Sequence, residues 1–441
     1  MRTTANKNLD ALYPDHLRTI RQRYDEALAA QDLDAVVIGA GVEIYRFLDD
    51  LTHPFRPNPH FLQWVPLLNH PGSALIYQPG QQPELLLHEP ETYWHTTQEL
   101  PGGAWQDFFK VTSITGSRDL RTAYKTLPAQ TAWLGDPAQW TRKPNESLQN
   151  PDGLLTHLHY YRPVRTAYEV ECVKLATLAS VAGHQAAEQS FRGGASEYEI
   201  LISFLTATGR TENELPYPAI IAKNEHGATL HYQHYDRSAD ASHSLLIDAA
   251  CDCNGYASDI TRTYSYDDAE FAALIARLDS AQQRIAEAVV PGKAFADLHA
   301  LAHREIATIL QDADIVHMTP DEQLELDVTS TFFPHGLGHF LGLQVHEVGG
   351  AFSDPQGTEP ERPERYPNLR LIRQLETGQL LTIEPGIYFI GSLLTKLQNQ
   401  PAGKAVNWEK VKQLGKFGGI RIEDNLLITE TGSENITRNA F

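Results

Sequence analysis

The sequence predicts an α/β domain over residues 1–160 and an α+β domain with an internal duplication over 161–441. Three patterns predict this. In the first third, short apolar runs follow an amphipathic helix and are separated by Pro- and Gly-bearing turns. In the remainder, two helix pairs recur, each followed by strands. Between the pairs stands Leu245–Tyr264, two apolar runs around Asn254-Gly255, the dipeptide that best fits a type I′ hairpin turn.

Composition narrows the function classes. The 441 residues are 41% hydrophobic and 21% charged, an ordinary globular balance with room for substantial cores. A formal charge of −20 argues against a nucleic-acid partner or anionic lipid. No apolar run approaches the ~18 residues of a membrane span, and Met1–Lys7 lacks the apolar core of a signal peptide. Three cysteines cannot build a disulfide framework. Cys251 and Cys253 stand too close for a zinc ribbon and read as small residues on the strand face opposite Asp248. The expectation is a cytoplasmic chain with neither nucleic-acid nor membrane partners.

In chain order, Leu17, Ile20, Tyr24 and Leu28 give a helix over Asp15–Ala30, placed after Pro14. Strands are expected at Asp34–Ile38, Ser73–Tyr77, Glu84–Leu87 and Thr131–Leu134. The aromatic, acidic and Pro-rich stretch from Tyr45 to Pro59 reads either as surface or as a loop reaching an active site. The aromatic and basic run His157–Arg165 marks the domain boundary. Beyond it a helix runs from Ala167 to about Ser190 and stops at Gly193-Gly194, and Ser196 with Glu199 starts the next through a capping box. Phe271 to Val289 and Phe295 to Ile309 form the second pair, and Gly194–Ile200 resembles Gly292–Leu298.

The chemistry gathers on the strands. If the Asn-Gly turn sets the register, hairpin residues whose numbers sum to 509 face each other, so Asp248 lies opposite Thr261 and Asp259 opposite Ala250. The two aspartates then share a face, with Cβ atoms about 7–8 Å apart or less. Alone, they fit a solvated hairpin as well as a pair of bridged metal ions. His335, His339 and His346 lie in a stretch whose glycines disfavour helix and permit close backbone approach. Glu384 ends the apolar strand Leu380–Ile383 at a Pro-Gly turn, and Gly418–Asn425 alternates so that Arg421 and Glu423 share one face. Asp248, Asp259, His339, Glu384 and Glu423 together offer four carboxylates and one imidazole, a set whose charge two divalent cations would balance. Oxygen-rich ligation suits Mn²⁺, with Co²⁺ or Zn²⁺ less specific.

These ligand positions, with His335-Gly-Leu-Gly-His339, His346, Glu384-Pro-Gly and Gly419-Ile-Arg-Ile-Glu423-Asp, resemble the creatinase/aminopeptidase ("pita-bread") metallopeptidases. Within that family the chain is similar to the bacterial Xaa-Pro dipeptidases, or prolidases, including those with organophosphorus acid anhydrolase activity. The resemblance implies a creatinase-like N-terminal domain, a pita-bread catalytic domain with a pseudo-two-fold duplication, and a binuclear Mn²⁺ centre. Asp248 and Asp259 would chelate, Asp259 and Glu423 would bridge, and His339 and Glu384 would complete one ion. Glu384 would take the proton of the attacking water held between the ions. His346 would contact the scissile group, His335 the proline ring, Arg421 the ligands from behind, and Tyr217 the pocket wall.

The implied reaction is hydrolysis of Xaa-Pro dipeptides, with organophosphorus triesters as side substrates. The alternative is an aminopeptidase P acting on longer Xaa-Pro peptides; a metal-free creatinase is set aside because every ligand is kept. Arg373 and His231 match positions that bind the dipeptide's carboxylate. Asp50, beside Phe47-Leu48-Asp49, matches a loop that crosses a homodimer to meet the substrate's ammonium.

Overall fold

The computed structural model describes residues 2–90, 92–94, 100–140, 145–239, 241–367 and 369–441. It divides into two compact units, one of Met1–Cys172 with Asn254–Tyr256 and Asp354–Thr358, the other of Val173–Cys253, Ala257–Ser353 and Glu359–Phe441. The division after Cys172 falls inside one helix, Ala167–Arg192.

The first unit is built on a five-stranded mixed sheet in the order Lys110–Ile114, Glu84–His88, Ala74–Tyr77, Ala35–Gly39, Thr131–Leu134. Every residue of Ala35–Gly39 is buried, as a continuous apolar run requires when both faces are covered. The expected start of the first helix is corrected: it runs Arg2–Ala30 with Pro14 inside it. Leu9 and Tyr13 continue the buried spacing of Leu17, Ile20, Tyr24 and Leu28 on the far side of the proline. Their burial offsets the ~3 kcal/mol that an interior proline costs. The stretch around Asp50 is a narrow loop closed by Arg46 N–H to Leu51 O (2.9 Å) and His53 N–H to Ile44 O (2.8 Å). Its tip leaves Phe47 and Leu48 each 91% exposed.

The second unit repeats one order of elements. Helices Ala167–Arg192 and Glu197–Thr208 lead into a three-stranded sheet of Ile220–Lys223, Ser244–Asp248 and Thr261–Ser265. Helices Ala269–Glu287 and Phe295–Asp312 lead into one of Leu380–Ile383, Asp424–Ile428 and Ser433–Asn435. The Ser196–Glu199 capping box forms as expected. Each half has its own core. One gathers Phe191, Ile200, Phe204, Leu245 and Ile247; the other gathers Phe271, Leu278, Phe295, Ile306, Leu381 and Ile420.

Asn254 and Gly255 both take positive φ (52° and 86°), the requirement of a type I′ turn. The ladder beyond it pairs Thr261 with Asp248 and Tyr264 with Leu245, the register that sums to 509. Ser258 N–H to Cys251 O (3.1 Å) and Ala249 N–H to Ile260 O (3.2 Å) carry it past the strand ends.

The glycine-rich stretch is extended, not helical. Glu384 N–H bonds Leu337 O (2.8 Å), Thr382 N–H bonds His339 O (2.9 Å) and Leu341 N–H bonds Leu380 O (3.0 Å). Leu337–Leu341 thus lies antiparallel against Leu380–Glu384. A Cβ on Gly338 would stand 2.1 Å from Thr382 O, so only glycine permits this approach.

Candidate metal centre

Three backbone pairings bring the ligand candidates together. Asp248 ends its strand opposite Thr261. Thr261 in turn meets the strand of Glu423, whose N–H bonds Thr261 O (3.0 Å) while Thr261 Oγ1 donates to Glu423 Oε2 (2.7 Å). The extended pairing described above sets His339 beside Glu384. Asp259, two residues before Thr261, has its N–H on Asn425 Oδ1 at 3.2 Å.

The resulting cluster is tight. Ligand atoms of Asp259, His339 and Glu423 all lie within 4.8 Å of one another, and all three residues are buried. His339 Nε2 lies 3.5 Å from Asp259 Oδ2 and 3.8 Å from Glu384 Oε1. Its Nδ1 faces Phe340 O at 3.0 Å and donates there, which leaves the Nε2 lone pair toward the acids. Tyr217 Oη reaches both aspartates, 2.7 Å from Asp248 Oδ1 and 2.6 Å from Asp259 Oδ1. The two carboxylates therefore do share one face.

The donor set fits divalent cations. Arg421 sets a guanidinium against this cluster, with Nη2 2.8 Å from Asp248 Oδ2. Burial first, and the Asp248 charge second, push Asp259 well above the ordinary carboxylate range. Burial and then the Asp259 and Asp248 charges do the same to Glu423, and burial and then Glu423 to Glu384. Carboxylates this crowded need protons or cations, and one imidazole with four carboxylates is the oxygen-rich set that two hard divalent ions satisfy.

The surrounding residues are committed in definite ways. Arg421 also donates from Nη1 to Tyr388 Oη (3.0 Å) and from Nε to Thr261 Oγ1 (3.1 Å). Tyr388 Oη lies 2.9 Å from His335 Nε2, and His335 Nδ1 lies 2.8 Å from Gly336 O. The carbonyl must accept, so His335 carries its proton on Nδ1 and accepts from Tyr388. Burial first, and Arg421 second, hold His335 neutral, at about 3. Both its nitrogens are occupied, which makes it a wall and not a ligand. His346 meets His339 edge-on with ring centroids 4.4 Å apart. Burial first, then His339, lowers it to about 4.

A pocket of about 260 Å³ opens over the cluster, lined by Leu230, His231, Pro334, His335, His346 and Arg370 together with the ligand candidates and Arg421. One expectation is corrected here. Arg373 does not reach this pocket: it is 2% exposed, and its guanidinium faces Gly349 O (3.4 Å) and Glu376. Arg370 lines the pocket instead. Asp50 lies in the first unit, exposed, and is not among the lining residues. Sequence reading also missed Thr261 and Tyr388. Thr261 was visible only as the partner of Asp248, and Tyr388 only as an aromatic shortly after Glu384-Pro-Gly.

Residues 11–160 match the family described as Xaa-Pro dipeptidase, N-terminal domain, and residues 171–430 match metallopeptidase family M24. An Aeromonas hydrophila protein named Xaa-Pro dipeptidase is 44% identical over 432 residues, covering 97% of this chain and 98% of its own length. One of the same name from Xanthomonas campestris is 44% identical over 441 residues, covering 98% of each. Among solved structures, Zn-substituted E. coli aminopeptidase P in complex with product shares 23% identity over 96% of each chain, with a TM-score of 0.71. A histidine-to-alanine variant of that enzyme gives 0.73 at the same identity and coverage. That likeness is one of fold, the pita-bread architecture. Clustered acids on paired strands, a matching catalytic domain and near-complete relatives agree, and the chain belongs to metallopeptidase family M24.

Proposed function

We propose that this chain hydrolyses Xaa-Pro dipeptides, and that Arg370 with His231 selects them by their terminal carboxylate. The observation that carries this is their position. A planar guanidinium and an imidazole line the same small pocket as the acid cluster, on residues exposed to an incoming ligand. A guanidinium binds a carboxylate through two parallel hydrogen bonds, a geometry that a following peptide bond cannot offer. The volume, about 260 Å³, is below the ~300–1,000 Å³ of most ligand pockets. The volume admits a dipeptide; it is the carboxylate clamp that separates this reading from the aminopeptidase alternative.

Two divalent ions held by Asp248, Asp259, His339, Glu384 and Glu423 would supply Lewis acidity and an activated water, with Mn²⁺ the expected metal. The chain's own residues would do the rest. Glu384, which lines the pocket, would take the water's proton and return it to the departing proline nitrogen. His346 hydrogen-bonds the scissile carbonyl group. Neutral His335, with Pro334 and Leu230, walls the proline ring. Arg421 and Tyr217 hold Asp248 and Asp259 in place. A neutral organophosphorus triester needs no carboxylate clamp, so the same acids would serve it as a side substrate.

The proposed assembly is a cytoplasmic homodimer. Its support is the exposed Phe47–Leu48 tip beside Asp50, which resembles a loop that caps the partner's pocket and meets the substrate's ammonium. Asp50→Ala then raises KM with metal content unchanged, and an active monomer at assay concentration refutes the shared site. Among the described residues no helix is long and apolar enough to cross a membrane. The deciding assay compares an Xaa-Pro dipeptide with an Xaa-Pro-Xaa tripeptide in added Mn²⁺. Efficient tripeptide cleavage overturns the dipeptidase reading.

A further inference from the structure

Glu197 opens the helix Glu197–Thr208, yet the capping box there is completed by Ser196 and Glu199 without it. Its side chain is turned inward and the residue is 1% exposed. The carboxylate accepts four hydrogen bonds. Oε1 takes the Lys223 backbone N–H (2.7 Å) and His226 Nδ1 (2.7 Å). Oε2 takes the Tyr232 hydroxyl (2.9 Å) and the Asp236 backbone N–H (2.7 Å). Two oxygens with two lone-pair sites each are thereby filled. Bonds to an ionised acceptor are the stronger kind, and a buried carboxylate is tolerated only when it is met this fully.

The donors share a second property: they bracket one stretch of chain. Lys223 ends the strand Ile220–Lys223, a 3₁₀ turn covers Asn224–Ala228, and residues 232–239 carry no regular secondary structure. The His226 ring stacks on Tyr232 with centroids 4.4 Å apart and planes at 17°, so the stretch closes on itself around the carboxylate. Tyr198, next to Glu197, adds its N–H to Asp236 O at 3.1 Å. What the closed loop presents to the pocket is Leu230 and His231.

We propose that Glu197 is a positioning residue for substrate selection, the knot that sets where His231 meets the substrate's terminal carboxylate. It touches neither substrate nor the acid cluster, and acts only through the path of the loop. The proposal rests on the reading of Arg370 and His231 given above. A glutamate that served only to seat its helix would have no reason to collect donors from both ends of a pocket loop.

The test is a substrate comparison with the full-length, metal-loaded enzyme: an Xaa-Pro dipeptide against the matching Xaa-prolinamide, which lacks the carboxylate. Glu197→Gln turns an NH₂ group toward two of the donors. It should raise KM for the dipeptide about tenfold, with kcat and the amide's KM within about twofold. Tyr232→Phe removes one bond, keeps the stacked ring, and should shift the dipeptide KM the same way by about two- to fivefold. This milder variant keeps the proposal testable if Glu197→Gln does not fold. In a His231→Ala background Glu197→Gln should add less than about twofold, because the two act as one unit. Metal content and melting temperature are read beside each. Equal losses on both substrates, or full additivity with His231→Ala, overturn the proposal. If His231→Ala keeps the dipeptide-over-amide preference, the carboxylate reading fails and takes the proposal with it. If His231→Ala loses the preference while Glu197→Gln and Tyr232→Phe retain it, the reading stands and the positioning role alone falls.

Discussion

Two arginines three positions apart make opposite predictions. Arg370 lines the pocket and is exposed, so Arg370→Ala should leave stability within ~0.5 kcal/mol, as exposed substitutions usually do. Its loss removes a charge-assisted hydrogen bond to the substrate carboxylate, worth about 2–3 kcal/mol, or roughly 30- to 150-fold in kcat/KM on an Xaa-Pro dipeptide. Arg373 is buried against Gly349 O and Glu376. Arg373→Ala takes away the donor Gly349 O faces and leaves a hole, costing about 1–3 kcal/mol of stability and a few degrees of melting temperature. The surviving folded enzyme should keep its kcat/KM within about threefold. The assay pairs steady-state kinetics on the dipeptide and on a neutral triester with a thermal melt of each variant. A selective dipeptide loss in Arg373→Ala and none in Arg370→Ala would falsify the assignment. Equal losses of Arg370→Ala on both substrates would show that it orients the cluster instead of the carboxylate.

Glu423→Ala should lose metal from both positions and His339→Ala from one, measured as ions per chain after dialysis against buffered Mn²⁺; identical stoichiometries would exclude Glu423 as the bridge. Thr261→Val removes the hydroxyl that links Glu423 Oε2 to Arg421 Nε. It should weaken metal binding about 10- to 100-fold in a chelator competition while leaving the strands paired; unchanged affinity makes that hydroxyl idle. His303, buried and then opposed by the Arg365 charge, is lowered from 6.5 to about 4. The unfolded chain therefore takes up this proton first, and native stability, full above pH 6.5, falls as pH drops toward 4, by roughly 3 kcal/mol. His303→Asn should flatten that part of a urea-midpoint series against pH, and a slope equal to wild type removes the histidine from the account.

Local rules carried the site a long way. The Asn254-Gly255 turn allows one hairpin geometry, so the pairing of Asp248 with Thr261 follows from counting residues outward from it. Glu384 and Glu423 stood out because each ends a clean apolar pattern, where a charge has no packing reason to be. The glycines around His339 ruled out helix on propensity, and Gly338 proves to be the residue whose missing side chain lets two backbones touch. What stayed hidden depends on contacts that are remote in sequence. Choosing between Arg370 and Arg373 required knowing which of them the folded loop turns toward the cluster. Pro14 misled because interior prolines usually end helices, and the burial of Leu9 and Tyr13 that outweighs this is tertiary. The four donors on Glu197 span residues 223–236, and no spacing rule links them.

The proposed ligands come from both halves of the duplicated unit: Asp248 and Asp259 from the first, His339, Glu384 and Glu423 from the second. The halves also touch without metal: Tyr388 of the second packs with Ile220 and Leu246 of the first, and Glu423 N–H bonds Thr261 O. Ions held by residues of both halves would add their binding free energy to that seam. Metal then works as a clasp across a seam. Stripping it should lower the melting temperature of the whole unit, and refilling the site should restore it.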